Sequence, residues 1–497
     1  MIQIWRTFPL FLILALGSGI AVCQQRIVAP IERSGYEHAT SYDSLQAFLN
    51  TLGATKGIQV ERVAVSPHGR KISAVKISAD SAFGTNPSKL RMLIFAQQHG
   101  DEPSGKEALT LLIAKFASGQ NSRWTENMDI LIVPQMNPDG AELHQRRTSD
   151  SIDLNRNHVL LTSPETKGLH NLFNRWMPEV TVDIHEYTSG KEWYDSGMVK
   201  TGDVQLGMLT HPSTPDRIRQ LQHQNIFPFV AARMEQKGYR FQEYIVGSPD
   251  TRIRHSTTEI NDGRESFGIL NSLSFIQEGR KWYGLDDTLR RRAGAQLTSV
   301  EALIDYCSMY AGEIRALVSS ERLNLPKLAG TNVVLRLEHV SSVAQMKIPV
   351  FNLRLNKDTV WSVTPYHSVV QPHLSVKIPS AYIVPKQLTA VLDLLRRHHI
   401  TMEKITSRHS IHTEVFTIDS VGTEYVEEDP KPQPFGHWKK ATSMLHEGDM
   451  IVRTGQLQSV LITIILEPES VWGLMGYSVF ESLLKKTGAY SIVRVVP

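Results

Sequence analysis

The sequence predicts an α/β fold, a mixed sheet with a parallel centre flanked by helices, followed by a second, smaller β-rich domain. Two observations carry this. Four short apolar or β-branched runs, RMLIFAQ, DILIVPQ, EVTVDIH and NSLSFIQ, are separated by helical patterns such as EALTLLIAKF, with apolar positions at Leu109, Leu112, Ile113 and Phe116. Strands that alternate with helices build a largely parallel sheet. From Asn332 onward the pattern changes to short alternating strands, VVLRLEHV, FNLRLN, HTEVFTID, DMIVRTG and SVLITIILEP, with one helix over residues 386–398.

The other elements follow in order. A helical segment near residues 41–52 precedes IQVERVAV and KISAVKIS, which flank the turn-rich Ser66 to Arg70 and predict a hairpin. A long helical stretch over residues 287–322 closes the first region. Residues 324–331, with Pro326 and Gly330, read as a linker, and the Pro-rich EEDPKPQPFGHW as a loop. A chain of 497 residues exceeds what one core usually organises, so the expected division is a domain over residues 24–323 and another over 332–497.

Composition narrows the function classes. Lys plus Arg total 53 against 50 Asp plus Glu with no long basic run, which gives no footprint for nucleic acid. MIQIWRTFPLFLILALGSGIAVCQQ places Arg6 before an apolar run ending in small residues and reads as a signal peptide over residues 1–23, with Ala21 and Cys23 as the cleavage pair. Val22 is large for the position before a lipid-bearing cysteine, which disfavours a lipid anchor on Cys23. No further spanning segment follows. Cys23 and Cys307 are the only cysteines, so the mature chain has no internal disulfide, and Cys307 is expected to be a packed core thiol.

In open α/β sheets ligands collect beyond the carboxyl ends of the strands. Here His99 and Glu102 follow the first strand, His185 ends the third and Glu278 ends the fourth. Two histidines and one carboxylate make a zinc set that leaves a fourth position for water, whose pKa the metal lowers. His185 and Glu186 do not open a helical HExxH site, because Ser189 stands where the second histidine belongs. Glu186 is expected to be a supporting or solvated carboxylate.

Between the first and third strands lies MNPDGAELHQRRTSDSIDLNRNH. With the HxxE before it, the distant histidine and the late glutamate, the order resembles the zinc carboxypeptidase family, the carboxypeptidase A-like metallopeptidases. SPHGRKI, around Gly69 and Arg70, is similar to that family's early hairpin, so the likeness spans residues 40–320. The resemblance implies one zinc ion per chain on His99, Glu102 and His185, with Asp153 orienting His99. It implies Asn155 and Arg156 as the anchor for the free carboxylate of a peptide and Glu278 as general base and acid. An oxyanion donor falls on Arg146 or the adjacent Arg147, with Arg146 preferred. The ordinary alternative for Glu278 is an ion pair with Arg280.

Several positions depart from the family pattern. His158 stands where an aromatic is common, and the mobile tyrosine has two candidates, Tyr239 and Tyr244. Arg264, fourteen residues before Glu278, reads as an exposed structural arginine more than as part of an acidic-substrate pocket. His398, His399, His409 and His412 lack a completing carboxylate or cysteine and read as packed or solvated rather than as a second metal site.

The implied function is a secreted zinc metallocarboxypeptidase acting on peptides with a free carboxyl end. Its C-terminal region, with ILEPES, resembles an extension of some bacterial members and implies an envelope or extracellular setting. An N-acyl amino acid amidohydrolase of the succinylglutamate desuccinylase and aspartoacylase group shares HxxE, DxNR and a later histidine, but NPDG favours the peptidase. A non-catalytic zinc-containing peptide-binding protein would not need Glu278.

Overall fold

The structure, a computed structural model, describes residues 26–281, 288–426, 429–483 and 488–495, so the predicted signal peptide lies outside the described residues. Strands β1 (Ile58–Val65) and β2 (Lys71–Ile77) form the expected antiparallel hairpin. They lead into β3 (Leu90–Ala96), β4 (Met128–Val133) and β5 (Val180–Tyr187), and further along the chain into the strand Leu273–Arg280. The eight-stranded sheet runs β1, β2, β4, β3, β5, Leu273–Arg280, Val204–Gly207, Phe241–Glu243. Its centre, from β4 through β3 and β5 to Leu273–Arg280, is parallel, and antiparallel pairs flank it.

The period of two along β3 divides two cores. Ile94 packs on one face with the helices Ser104–Ala117 and Leu289–Met309, while Leu93 and Phe95 face the other side with Phe173 and Phe267. Both faces are covered, which is why the central strands read as continuous apolar runs.

Four local expectations are corrected. The helical stretch 287–322 is two helices, Leu289–Met309 and Ala311–Asn324, broken at Tyr310 (φ −113°). SVLITIILEP contains the helix Ser459–Leu466, all eight residues buried; an unbroken apolar run carries no periodicity that separates a buried helix from a buried strand. FNLRLN is not one strand: Met346–Asn352 ends where the Asn352 side chain accepts hydrogen bonds from the backbone of Arg354 and Leu355, turning the chain. From Asp429 onward the Pro-rich segment lies in the strand Asp429–Leu445, paired with His409–Val426. That strand is the outer one of its sheet, and Pro430, Pro432 and Pro434 alternate along it, so their missing N–H groups all fall on the unpaired side.

The C-terminal region extends sheets begun earlier in the chain. Met346–Asn352 pairs with Met198–Lys200, and Tyr366–Lys377 runs parallel to Arg254–His255. Val159, Ile260 and Ile269 share a core with Tyr382, Leu394 and Ile465.

Burial pushes His158, His211 and His398 down to about 4. They are neutral when folded at neutral pH, whereas the unfolded chain takes up their protons near 6.5. Stability is therefore lost as pH falls from about 6.5 towards 4, by roughly 1.4 kcal/mol per pH unit for each histidine. Glu278, raised to about 7 by burial, opposes this, as do Glu165, Glu186, Glu265 and Glu467, raised by burial, and His185, raised by Asp183 and Glu102 against its burial, while His170, His223 and His339, lowered by burial, add to it. The metal-free protein is expected to show a lower urea midpoint at pH 5 than at pH 7; equal midpoints would contradict the burial account.

Candidate active site

The loop after β3 is built on the NPDG turn. Asn137 caps the helix Pro138–Glu142 by accepting from the Gly140 N–H at 2.8 Å, and its amide donates to the carbonyls of Gln98 (3.1 Å) and Arg146 (3.3 Å). Gly100 must lack a side chain here, since a Cβ would lie 2.1 Å from the Gly140 backbone. Asp139 receives the Ser66 hydroxyl, the His68 N–H, the Arg70 guanidinium and the Ser149 hydroxyl, which ties the early hairpin to the same turn. The two motifs thus form one buttress beneath the metal-ligand loop.

On this support His99, Glu102 and His185 converge, all buried. The two Nδ1 atoms are 3.1 Å apart, and Glu102 lies 2.9 Å from His99 through Oε1 and 3.0 Å from His185 through Oε2. The outer nitrogens are also engaged: His99 Nε2 is 3.2 Å from Asp153 Oδ1 and His185 Nε2 is 3.0 Å from Asp183 Oδ2. Carboxylates face the inner and the outer nitrogens alike, so it is a cation between the two Nδ1 atoms that would take their lone pairs and leave each ring its proton on Nε2, towards Asp153 and Asp183. Two ring nitrogens and a carboxylate facing one point suit a cation, and edges near 3 Å suit zinc bonds of about 2.0–2.2 Å. Burial alone would raise Glu102, but the neighbouring His99 and His185 hold its carboxyl below the usual range.

Asp153 behaves as expected and does more. Besides facing His99, it caps the turn Leu154–Arg156 through the Asn155 N–H at 3.0 Å and accepts Arg146 Nε at 3.0 Å. Arg146 reaches the donor triangle, with Nη1 3.1 Å from His99 Nδ1. Arg147 instead donates to the Ser151 carbonyl and is exposed.

Parallel pairing sets Glu278 directly beside His185, and burial drives its carboxyl up to about 7. The alternative partner Arg280 pairs with Asp203. A cavity of about 320 Å³ is lined by His99, Glu102, Arg146, Asn155, Arg156 and Glu278, so it gathers every predicted site residue except the buried His185 and Asp153. Asn155 Oδ1 accepts the Gly263 N–H at 2.8 Å, and Arg156 Nε lies 3.5 Å from Glu259.

Tyr244 lines the same cavity, while Tyr239 lies under Arg291 against the helix Leu289–Met309. Arg264 is not exposed: it is fully buried and bonded to Asp262, Met208 and Thr257. Glu186 is a supporting group, buried with Arg292 and the Ser104 N–H on its oxygens. Cys307 is a core thiol, pushed up to about 12. Asp183 was not expected; the signal was present in VTVDIH, because residues two apart on a strand share a side.

Residues 45–190 match the family model described as zinc carboxypeptidase. "Carboxypeptidase 2" of Trichophyton tonsurans is 23% identical over 461 residues, 90% of this chain and 85% of that protein, so the similarity continues into the C-terminal region. "Probable carboxypeptidase 2" of Arthroderma benhamiae is 27% identical over 281 residues, 54% of this chain and 53% of that one. These relatives are fungal, whereas the resemblance of the C-terminal region implies a bacterial setting. Among solved structures, a metallo-carboxypeptidase from Burkholderia cenocepacia has a TM-score of 0.44 at 17% identity, covering 55% of this chain and 71% of that one. Residues 45–190 thus belong to the zinc carboxypeptidase family, the carboxypeptidase A-like metallopeptidases, and the chain is a metallocarboxypeptidase.

Proposed function

We propose that the protein is a secreted enzyme that removes single residues from peptides with a free terminal carboxylate. It would carry one zinc ion on His99, Glu102 and His185. The observation that carries this reading is the donor triangle, with Glu278 beside it and Asn155 and Arg156 in the same cavity. When bound, the ion polarises the scissile carbonyl and lowers the pKa of a water molecule.

The remaining work falls to side chains. Arg156 and Asn155 hold the terminal carboxylate, for which a planar guanidinium offers two parallel charge-assisted hydrogen bonds. Arg146 donates to the carbonyl oxygen as negative charge develops on it. Glu278 accepts a proton from the attacking water and returns it to the leaving amine. Its burial suits both halves, because a carboxyl with a raised pKa releases and regains a proton near neutrality. Asp153 and Asp183 fix the tautomers of His99 and His185.

Export through residues 1–23 and a division into a catalytic region, residues 24–323, and a β-rich region, residues 332–497, belong to the same proposal. Among the described residues no helix is long and apolar enough to cross a membrane.

The test compares peptides ending in a free carboxylate with the same peptides amidated, and with N-acyl amino acids. Trimming of the free acids alone is expected. Arg156→Ala is expected to raise KM for the free acids by about 10- to 100-fold, the weight of a charged hydrogen-bonding contact, and to erase the discrimination against amides. Turnover confined to N-acyl amino acids would move the assignment to the amidohydrolases.

A further inference from the structure

The histidines of RRHHI, expected to be packed or solvated, bond across the fold. Arg397 donates to the carbonyls of Leu160 (2.6 Å) and Leu161 (3.3 Å), His398 Nε2 to that of Val159 (2.6 Å), and His399 Nε2 lies 2.9 Å from Asn171 Oδ1. Two residues of the C-terminal region, Arg397 and His398, therefore grip the backbone that follows DLNRNH, and the next, His399, reaches a side chain of the helix Pro164–Trp176 beyond it. His398 also packs edge-on against His170, with ring centroids 5.8 Å apart.

Behind that grip runs a buried chain of hydrogen bonds. His170 Nε2 is 3.0 Å from His158 Nδ1, His158 Nε2 is 2.9 Å from Gln98 Oε1, and Gln98 Nε2 is 2.8 Å from Asp183 Oδ2. The same Gln98 nitrogen is 3.2 Å from Asn155 Oδ1. Gln98 and His158 are fully buried, and His170 is only 4% exposed.

The direction of the chain is fixed by its end. Asp183 and Asn155 present oxygens, so the Gln98 NH₂ must face them and its carbonyl must accept from His158. A neutral His158 that donates from Nε2 accepts at Nδ1, so His170 donates there, and each donor points towards Asp183. The carboxylate that orients His185 and the amide that flanks Arg156 are thus held by one side chain, and that side chain is held by His158.

We propose that Gln98 and His158 are positioning residues that couple the metal-ligand orientation to the carboxylate anchor, and that the Arg397–His399 clamp of the C-terminal region holds this pair in register. The inference rests on the zinc reading above.

The test measures zinc affinity by competition with a chromophoric chelator, together with kcat and KM, in the full-length protein. His158→Leu is expected to weaken zinc binding about tenfold, at the low end for groups behind a metal ligand, and to raise KM as Asn155 loses its hold. His158→Gln, which can still donate to Gln98, is expected to restore both. Ile405→Ala, a truncation in the separate core of Ile383 and Leu445, should lower the melting temperature and alter neither.

A folded His158→Leu with wild-type zinc affinity and KM overturns the inference, as does a failure of His158→Gln to restore them. If His158→Leu does not fold, Arg397→Ala with His399→Ala decides: both constants shifting by about threefold supports the clamp, and neither shifting overturns it. A wild-type protein that binds no zinc defeats the zinc reading itself. One that binds zinc with variants unaffected defeats only this inference.

Discussion

Glu278→Gln is expected to lower kcat by about three orders of magnitude, within the range for loss of a general acid–base group, while zinc content and peptide binding stay near wild type. The side chain keeps its size, and the groups that hold the metal do not bond to it. A pH profile separates this role from a structural one. Only the ionised carboxylate accepts a proton, so kcat/KM of the wild type must fall as pH drops through the Glu278 pKa. Burial, helped by the Glu102 and Asp183 carboxylates, raises that value to about 7 against the pull of His185 and His99, with no metal charge present. Positive charge in the adjacent triangle draws it lower, so the acidic limb is expected below 7 and above the ordinary glutamate range. The residual activity of the glutamine variant should lack that limb.

The second large effect is expected at Arg146. Arg146→Ala should reduce kcat by about 10² to 10³, the usual result of removing one oxyanion donor, with a smaller change in KM. Arg147→Ala should leave both within about twofold, because its guanidinium bonds outward to Ser151 and a surface contact of this kind contributes little. Arg146 also bonds Asp153, so zinc content must be measured alongside; an equal loss of kcat and of zinc would reassign Arg146 to orienting His99.

The parts legible in the sequence were those with local signatures. The β1–β2 hairpin, the four apolar strands and the residues at their ends all lie where periodicity and strand-end chemistry put them, because those strands are short, β-branched and separated by amphipathic helical patterns. The choice between Arg146 and Arg147 needed coordinates, since adjacent residues differ only in where the backbone turns them. Asp183 was hidden by its own strand: a carboxylate inside VTVDIH reads as an interruption until the sheet shows it behind His185. Gln98 has no motif of its own and acquires meaning from Asp183, Asn155 and His158, which are 57 to 85 residues away in the chain.

The C-terminal region was harder to read for a different reason. Its strand Asp429–Leu445 carries prolines that argue against a strand unless it is known to lie at an edge, and its helix Ser459–Leu466 is buried on every side and so lacks amphipathic spacing. Arg397 and His398 of the clamp act on backbone carbonyl oxygens, which any sequence supplies, so nothing in residues 159–161 announced their target.

The central claim is that the donor triangle and the carboxylate anchor serve one reaction. Its most direct test follows products by mass spectrometry from a mixed peptide library treated with zinc-loaded enzyme, with chelator-treated enzyme and with Glu278→Gln. The account predicts stepwise loss of single residues from free carboxyl ends with the zinc-loaded wild type alone. Internal cleavage, or trimming that persists equally in the chelated enzyme or in the Glu278 variant, would contradict it.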